Sequence, residues 1–486
     1  MTIASPVATR SLDPGTVGAF ENQNPIPTPD HGVHLAVLPT GSVLSFSFGL
    51  PTEMPPLSAP TFTPGSRNSG HAYLWEPRAG NGLEAWAPAH PPVVDPPDGT
   101  GEPRPAPLFR AGTAFMSNGT LAVFGGNLAN GGKQSGMRTV FTFDPWGRHW
   151  YRQADMAVGR WAPTAFRTAS GRMGIVGGVD ENGVRTDVLE VFPAVSMPLP
   201  ARAARSITGL PAARRPDRVN RAVRHACALA DGWVYLFGEL PDEQYRVHAD
   251  TWRVEPLRPR PESDICCGVV PLPGGPAGPT EVLISGAVAT CWRFDVGTQA
   301  WHKDSDRASR VDTEAMVVLP DGTVFGVAGG QVELYDPEAR AWTVGPSCTR
   351  PYENPSTAVL LPDARVLIAG GVPGSMDLYH PPYLFRGERP MIIGPRQDAV
   401  SADEPFEIAW SGRPVSRAVL VAPGAATHSV DGEQRHIELR IEPAGPGRLF
   451  AYGPPTAAAA PPGYYMLFVL TEDGVPSEAR FIWFAG

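Results

Sequence analysis

The sequence predicts an all-β protein: a seven-bladed β-propeller over residues 1–386, followed by an immunoglobulin-like β-sandwich over residues 387–486. Three observations predict it: a hairpin phrase that returns seven times, a composition rich in turn formers and poor in charge, and a change of strand pattern after Phe385.

The repeated phrase is an apolar run, a turn that in most copies contains Gly or Asn, a second apolar run and often a Gly-Gly pair. It reads LAVLPTGSVLSFSFG from Leu35, TAFMSNGTLAVFGGN from Thr113, TAFRTASGRMGIVGG from Thr164 and ACALADGWVYLFGE from Ala226. It returns as VVPLPGG with EVLISGA from Val269, AMVVLPDGTVFGVAGG from Ala315 and TAVLLPDARVLIAGG from Thr357. Two alternating runs across such a turn make a β-hairpin. Two more strands follow several copies with an aromatic and Asp signature, as in FTFDPWGRHW, CWRFDVGTQAW and VELYDPEARAW. Four strands repeated every ~40–60 residues is the period of a propeller blade. A hairpin cannot bury both faces alone, and radial stacking buries them while leaving only short edges. Pro-rich insertions around Pro51–Gly70 and Ala87–Pro107 stretch the first interval and read as long surface loops able to cover one mouth.

Composition supports this reading. The 486 residues include 53 glycines and 56 prolines but only 18% charged residues, which suits many tight turns. A net charge of −9 argues against a general nucleic-acid surface. No apolar run is long enough to span a bilayer, and Met1–Thr16 shows no secretory pattern, so a cytoplasmic protein with a small-molecule partner is expected. Five cysteines, Cys227, Cys266, Cys267, Cys291 and Cys348, suggest reduced thiols rather than a disulfide framework.

Beyond Phe385, shorter alternating strands run to GYYMLFVLTEDGVPSEARFIWFAG, which reads as the sandwich. The joining phrase LYHPPYLFRGERPMI (Leu378 to Ile392) resembles the domain junction of the galactose oxidase and glyoxal oxidase family of copper radical oxidases. THSVDGEQRHIEL (Thr427 to Leu439) resembles the sandwich loop that reaches into that family's channel and supplies a copper-ligating histidine. LFRAGTAFMSNGTLAVFGGN and MAVGRWAPTAF resemble two of its blade starts. The resemblance covers nearly the whole chain and implies a kelch-like propeller with an early-set (E-set) sandwich. It also implies oxidation of alcohols or aldehydes with reduction of O2 to peroxide. That chemistry uses copper, two tyrosines, two histidines and a tyrosine–cysteine cross-link.

The residues depart from that pattern. Phe-Cys-x-Gly is here Phe109-Arg110-Ala111-Gly112, and Arg-Trp-Tyr-Pro is Arg160-Trp161-Ala162-Pro163. Tyr-His-Ser is Asn354-Pro355-Ser356, leaving His428 as the retained ligand, with Tyr352 a substitute phenol only in a shifted register. The substitutions lead to an expected enzyme with no cofactor, copper-independent and non-redox, using acid–base chemistry on a small metabolite in secondary metabolism. Isomerisation, cyclisation, elimination and hydrolysis all fit. A non-catalytic carbohydrate or ligand-binding protein, and an oxidase with a rearranged metal site, are the alternatives.

The family offset before each turn marks Gly32, Arg110, Ala162, Val223, Cys266, Thr313 and Pro355 at one channel mouth. His34 and His225 lie two residues further along their strands and share that side. Arg110 suits bidentate binding of a carboxylate or enolate, or a salt bridge to Glu314 or Glu353. His428, Glu314 and Glu353 are candidate proton carriers. Trp161, Arg224, His225, His34, Cys266, Asn354 and Tyr352 are candidate substrate contacts. Cys266 and Cys267 are adjacent and read as inert small hydrophobes rather than a bridge. Local spacing gives no support for a metal site built from His34, His225 and His428.

Overall fold

The computed structural model describes all residues except 1–12, 22–24, 31, 49–69, 96–102, 129–134, 193–204, 208–224, 262–265, 310–312, 351, 353–355, 371–373, 395–396 and 429. It is all-β, with many small antiparallel sheets and a single α-helical turn, Pro14–Val17, among the described residues. Each of the seven repeated hairpins forms the first two strands of a sheet. In the copy from Thr113, strands Gly112–Phe115 and Leu121–Phe124 pair with Phe115 opposite Leu121. Gly119 turns the chain between them at φ 85°, a left-handed conformation that glycine adopts without strain. The aromatic and Asp phrase then supplies Val140–Asp144 and His149–Arg152.

The first strands of these sheets adjoin one another in sequence order, from Gly112–Phe115 through Ser356–Leu360 to His34–Val37. The ring closes through a strand from the far end of the chain. Ala425–Thr427 pairs with His34–Val37 on one side and adjoins Gly112–Phe115 on the other. The sheet containing Ser356–Leu360 closes similarly: Ala19–Phe20 and Ile26–Pro27, near the N-terminus, both pair with Ser375–His380. Apolar side chains fill the spaces between sheets. Phe46, Leu74, Phe115, Phe141 and Phe143, for example, lie buried in one cluster. The insertion around Ala87–Pro107 is pinned where described, with Trp150 Nε1–H donating to the Ala89 carbonyl at 2.7 Å. Of the other insertion, residues 51–69 lie outside the described residues.

Two further sheets follow residue 386 and enclose their own core of Ile408, Leu420, Leu449, Tyr465, Leu467 and Phe484. From this unit a finger reaches back into the ring. Its base is the pairing of Arg417–Val421 with His436–Glu438, Val421 lying opposite His436. Its tip is a tight turn in which Thr427 and Val430 exchange backbone hydrogen bonds of 2.8 and 2.9 Å. No helix among the described residues is long and apolar enough to cross a membrane.

Candidate functional site

The finger is held along its flank by side chains reaching separate sheets. Glu433 accepts the Phe115 N–H at 3.1 Å and pairs with the buried Arg167 guanidinium at 3.1 Å. Gln434 accepts the Val318 N–H and donates to the Met316 carbonyl, while Arg435 donates to the carbonyls of Ala228, Ala458 and Ala459. His436 Nε2 lies 3.0 Å from the Pro320 carbonyl. Thr113 donates from its hydroxyl to the Ala425 carbonyl at 2.8 Å.

This scaffold delivers His428 to the tip. Its φ of 51° is left-handed, a costly conformation for a non-glycine residue that the surrounding turn enforces. Thr427 Oγ1 lies 2.5 Å from His428 Nδ1, whereas His428 Nε2 is buried without a hydrogen-bond partner. His34 stands beside it, with ring centroids 5.2 Å apart and edge-on, and Phe109 contacts the same imidazole at 5.2 Å. His34 Nε2 accepts the Arg110 backbone N–H at 3.1 Å, and Arg110 in turn accepts the Ala162 N–H at 2.7 Å. The Arg110 guanidinium sits 4.8 Å from the centre of the Trp161 ring, a cation–π contact.

Gly32, Arg110 and Ala162, which the sequence offset makes equivalent, share left-handed φ values of 59°, 62° and 57°. Burial, helped by the Arg110 charge, pushes His34 down to about 3 and holds His428 well below the usual imidazole range. Both rings are therefore neutral near pH 7. Burial also lowers Arg110 to about 10, opposed by the Glu239 carboxylate, so it remains a cation.

The structure thus brings together four expected residues: His428, His34, Arg110 and Trp161. His225 and Cys266 stand buried at the starts of His225–Ala228 and Cys266–Pro271, and burial lowers His225 to about 4. Tyr352 is fully buried, its phenol raised first by burial and then by Asp377, which lies on Ser375–His380. The side chains of Glu314, Glu353, Asn354 and Arg224 lie outside the described residues, as does His31. Sequence reasoning missed Glu239. Its signal was Gly238-Glu239 where other copies carry Gly-Gly.

Residues 389–483 match the galactose oxidase-like early set domain. A solved structure of a fungal alcohol oxidase in complex with copper superposes with a TM-score of 0.79 over 97% of this chain and 100% of that one, at 20% identity. The fold is therefore that of this alcohol oxidase, and the chain is similar in sequence to proteins named aldehyde oxidase and galactose oxidase. An aldehyde oxidase of Vitis pseudoreticulata is 26% identical over 77% of this chain and 83% of its own length. A galactose oxidase of Gibberella zeae is 33% identical over 34% of this chain, a match spanning 28% of that protein.

These relatives overturn two expectations. A copper-independent, non-redox enzyme of acid–base chemistry does not stand, because the similar proteins carry oxidase names, one of them over 77% of the chain. Nor does the expected lack of a cofactor, since the solved neighbour on this fold holds copper. The residues nevertheless do not fit a copper centre with a tyrosine–cysteine cross-link. In the register expected from the sequence, Ala162 and Arg110 stand where that cross-link needs a phenol and a thiol, and neither side chain can form it. Among the described residues no three of His, Cys, Asp or Glu are grouped to hold a metal ion. His428 Nε2 is, among the described residues, one of the buried imidazole nitrogens without a hydrogen-bond partner.

Proposed function

We propose that this chain is an oxidase of a small primary alcohol or aldehyde, with its site at the finger tip and a redox centre of altered composition. The sheets of residues 1–386 are read as the seven blades of a propeller and residues 387–486 as its appended sandwich. One observation carries the functional reading. His428, the family ligand position that is retained, presents a buried and partnerless Nε2 at the tip. The oxidase names of the relatives over most of the chain support it. Imidazole nitrogen is a suitable donor for copper. Trp161 and Arg110 wall the site, and the neutral state of both imidazoles keeps lone pairs and protons in fixed places.

The experiment is metal analysis and a peroxide assay on protein from copper-supplemented medium, with glycolaldehyde and a simple primary alcohol as substrates. Stoichiometric copper and peroxide formation are expected, both falling sharply in His428→Ala. Absence of both in the wild-type protein ends this reading.

A second reading, a small-ligand-binding protein without turnover, is favoured by Arg110 stacked on Trp161 where the family places its cross-linked residues. It predicts affinity without peroxide and little loss of binding in His428→Ala.

A further inference from the structure

One proton at the finger tip has a fixed position. His34 is wholly buried, and its Nε2 accepts the Arg110 backbone N–H. A neutral imidazole carries its proton on one nitrogen only, so an accepting Nε2 places that proton on Nδ1. The other tautomer would set two N–H groups against each other. A 180° flip of the ring would keep its stack on Phe46 but would set carbon Cε1 against the Arg110 N–H and remove the acceptor. Nδ1 of His34 is nevertheless buried without a partner, as is Nε2 of the neighbouring His428. Buried polar atoms in native proteins are seldom left unsatisfied. Here two of them, from opposite ends of the chain, are left so in adjacent rings.

We infer that His34 is a specificity-determining residue whose Nδ1–H donates to a carbonyl, gem-diol or hydroxyl oxygen of the small molecule bound beside His428. The same geometry makes His34 unsuitable as a metal ligand, because the Nδ1 lone pair a metal would need is occupied by the proton. The ligand class rests on the oxidase reading; the donor role rests on the hydrogen bond from Arg110. A molecule offering only a hydrocarbon end gains nothing from this donor.

Two substitutions separate the halves of the ring. His34→Gln can keep an acceptor for the Arg110 N–H but presents no donor at the Nδ1 position. His34→Asn can supply the donor but abandons Arg110. Binding is read by calorimetry with glycolaldehyde, and turnover by peroxide formation. In His34→Gln the Kd and KM for glycolaldehyde are expected to rise about tenfold or more, with kcat changing less and the melting temperature kept. His34→Asn should hold affinity closer to wild type and melt earlier. Selective 15N-histidine labelling should show His34 as the Nδ1–H tautomer, with a signal that moves on adding glycolaldehyde. An Nε2–H tautomer, an unchanged Kd in His34→Gln, or no binding of glycolaldehyde to the wild-type protein overturns the inference. Binding that weakens in His34→Gln without any peroxide from the wild type sinks the oxidase reading and leaves the donor role standing.

Discussion

The flank of the finger and its tip lie a few residues apart and are equally buried, yet they differ in how their polar atoms are satisfied. On the flank, Glu433, Gln434 and Arg435 each find backbone or side-chain partners on the surrounding sheets. At the tip, His428 and His34 each keep a buried nitrogen with none. His436, at the base, resembles the flank through Nε2 and the tip through its partnerless Nδ1. Completed networks rigidify a fold, whereas an incomplete one costs stability and persists where a ligand completes it. The flank holds the two halves of the protein together. The tip receives.

Three predictions probe that contrast, ordered by expected effect on stability. Breaking the flank should cost most. The Arg167–Glu433 pair is buried, its side chains 5% and 3% exposed, so Glu433→Gln leaves a guanidinium uncompensated. A loss of about 3–5 kcal/mol in urea unfolding is expected. A loss below ~1 kcal/mol would erase the distinction between flank and tip.

The second effect depends on pH. Burial raises the Asp431 carboxyl to about 7, although it accepts N–H groups from Glu433 and Ala425. Between pH ~4 and 7 the folded state therefore holds a proton that the unfolded chain has released. The contribution is fully present below the unfolded value and is lost as pH rises through about 7, on the order of a few kcal/mol. Asp431→Asn should flatten part of this decline in a series of melts from pH 4 to 8. Asp30, raised to about 7 by burial, should account for a further share. A slope unchanged in Asp431→Asn would place the proton elsewhere.

The smallest stability change is expected at the tip. His428→Asn should shift unfolding by less than about 1 kcal/mol, because it keeps a polar atom near the Nδ1 position for Thr427 and no protein hydrogen bond to Nε2 is lost, while binding and turnover fall. A loss as large as that of Glu433→Gln would make the tip a clamp like the flank.

The hairpins were legible because turn chemistry is local. Each turn lies within its own phrase, six with a Gly and the seventh with Ala364 at φ 70°, and all seven phrases form paired strands. Equivalence of Gly32, Arg110 and Ala162 was also readable, and their common φ reflects it. The flank was not readable, since Glu433 and Phe115 lie 318 residues apart and Gln434 and Val318 lie 116 apart. The Glu239 field on Arg110 was hidden for the same reason. The expectation of non-redox chemistry came from weighing ligand positions one by one. That method sees what Arg110 and Ala162 remove, but not that the rest of the chain still tracks oxidases along its length. The donor role of His34 required knowing which atom faces Nε2, and no local pattern contains that.

The strand Ala425–Thr427, seated between His34–Val37 and Gly112–Phe115, also sets a timetable. Thr113 meets Ala425 across 312 residues of chain. Contacts of such separation close late and slow the folding of the whole. The site is thus shared between distant parts of the chain: without the C-terminal unit there is no His428 beside His34.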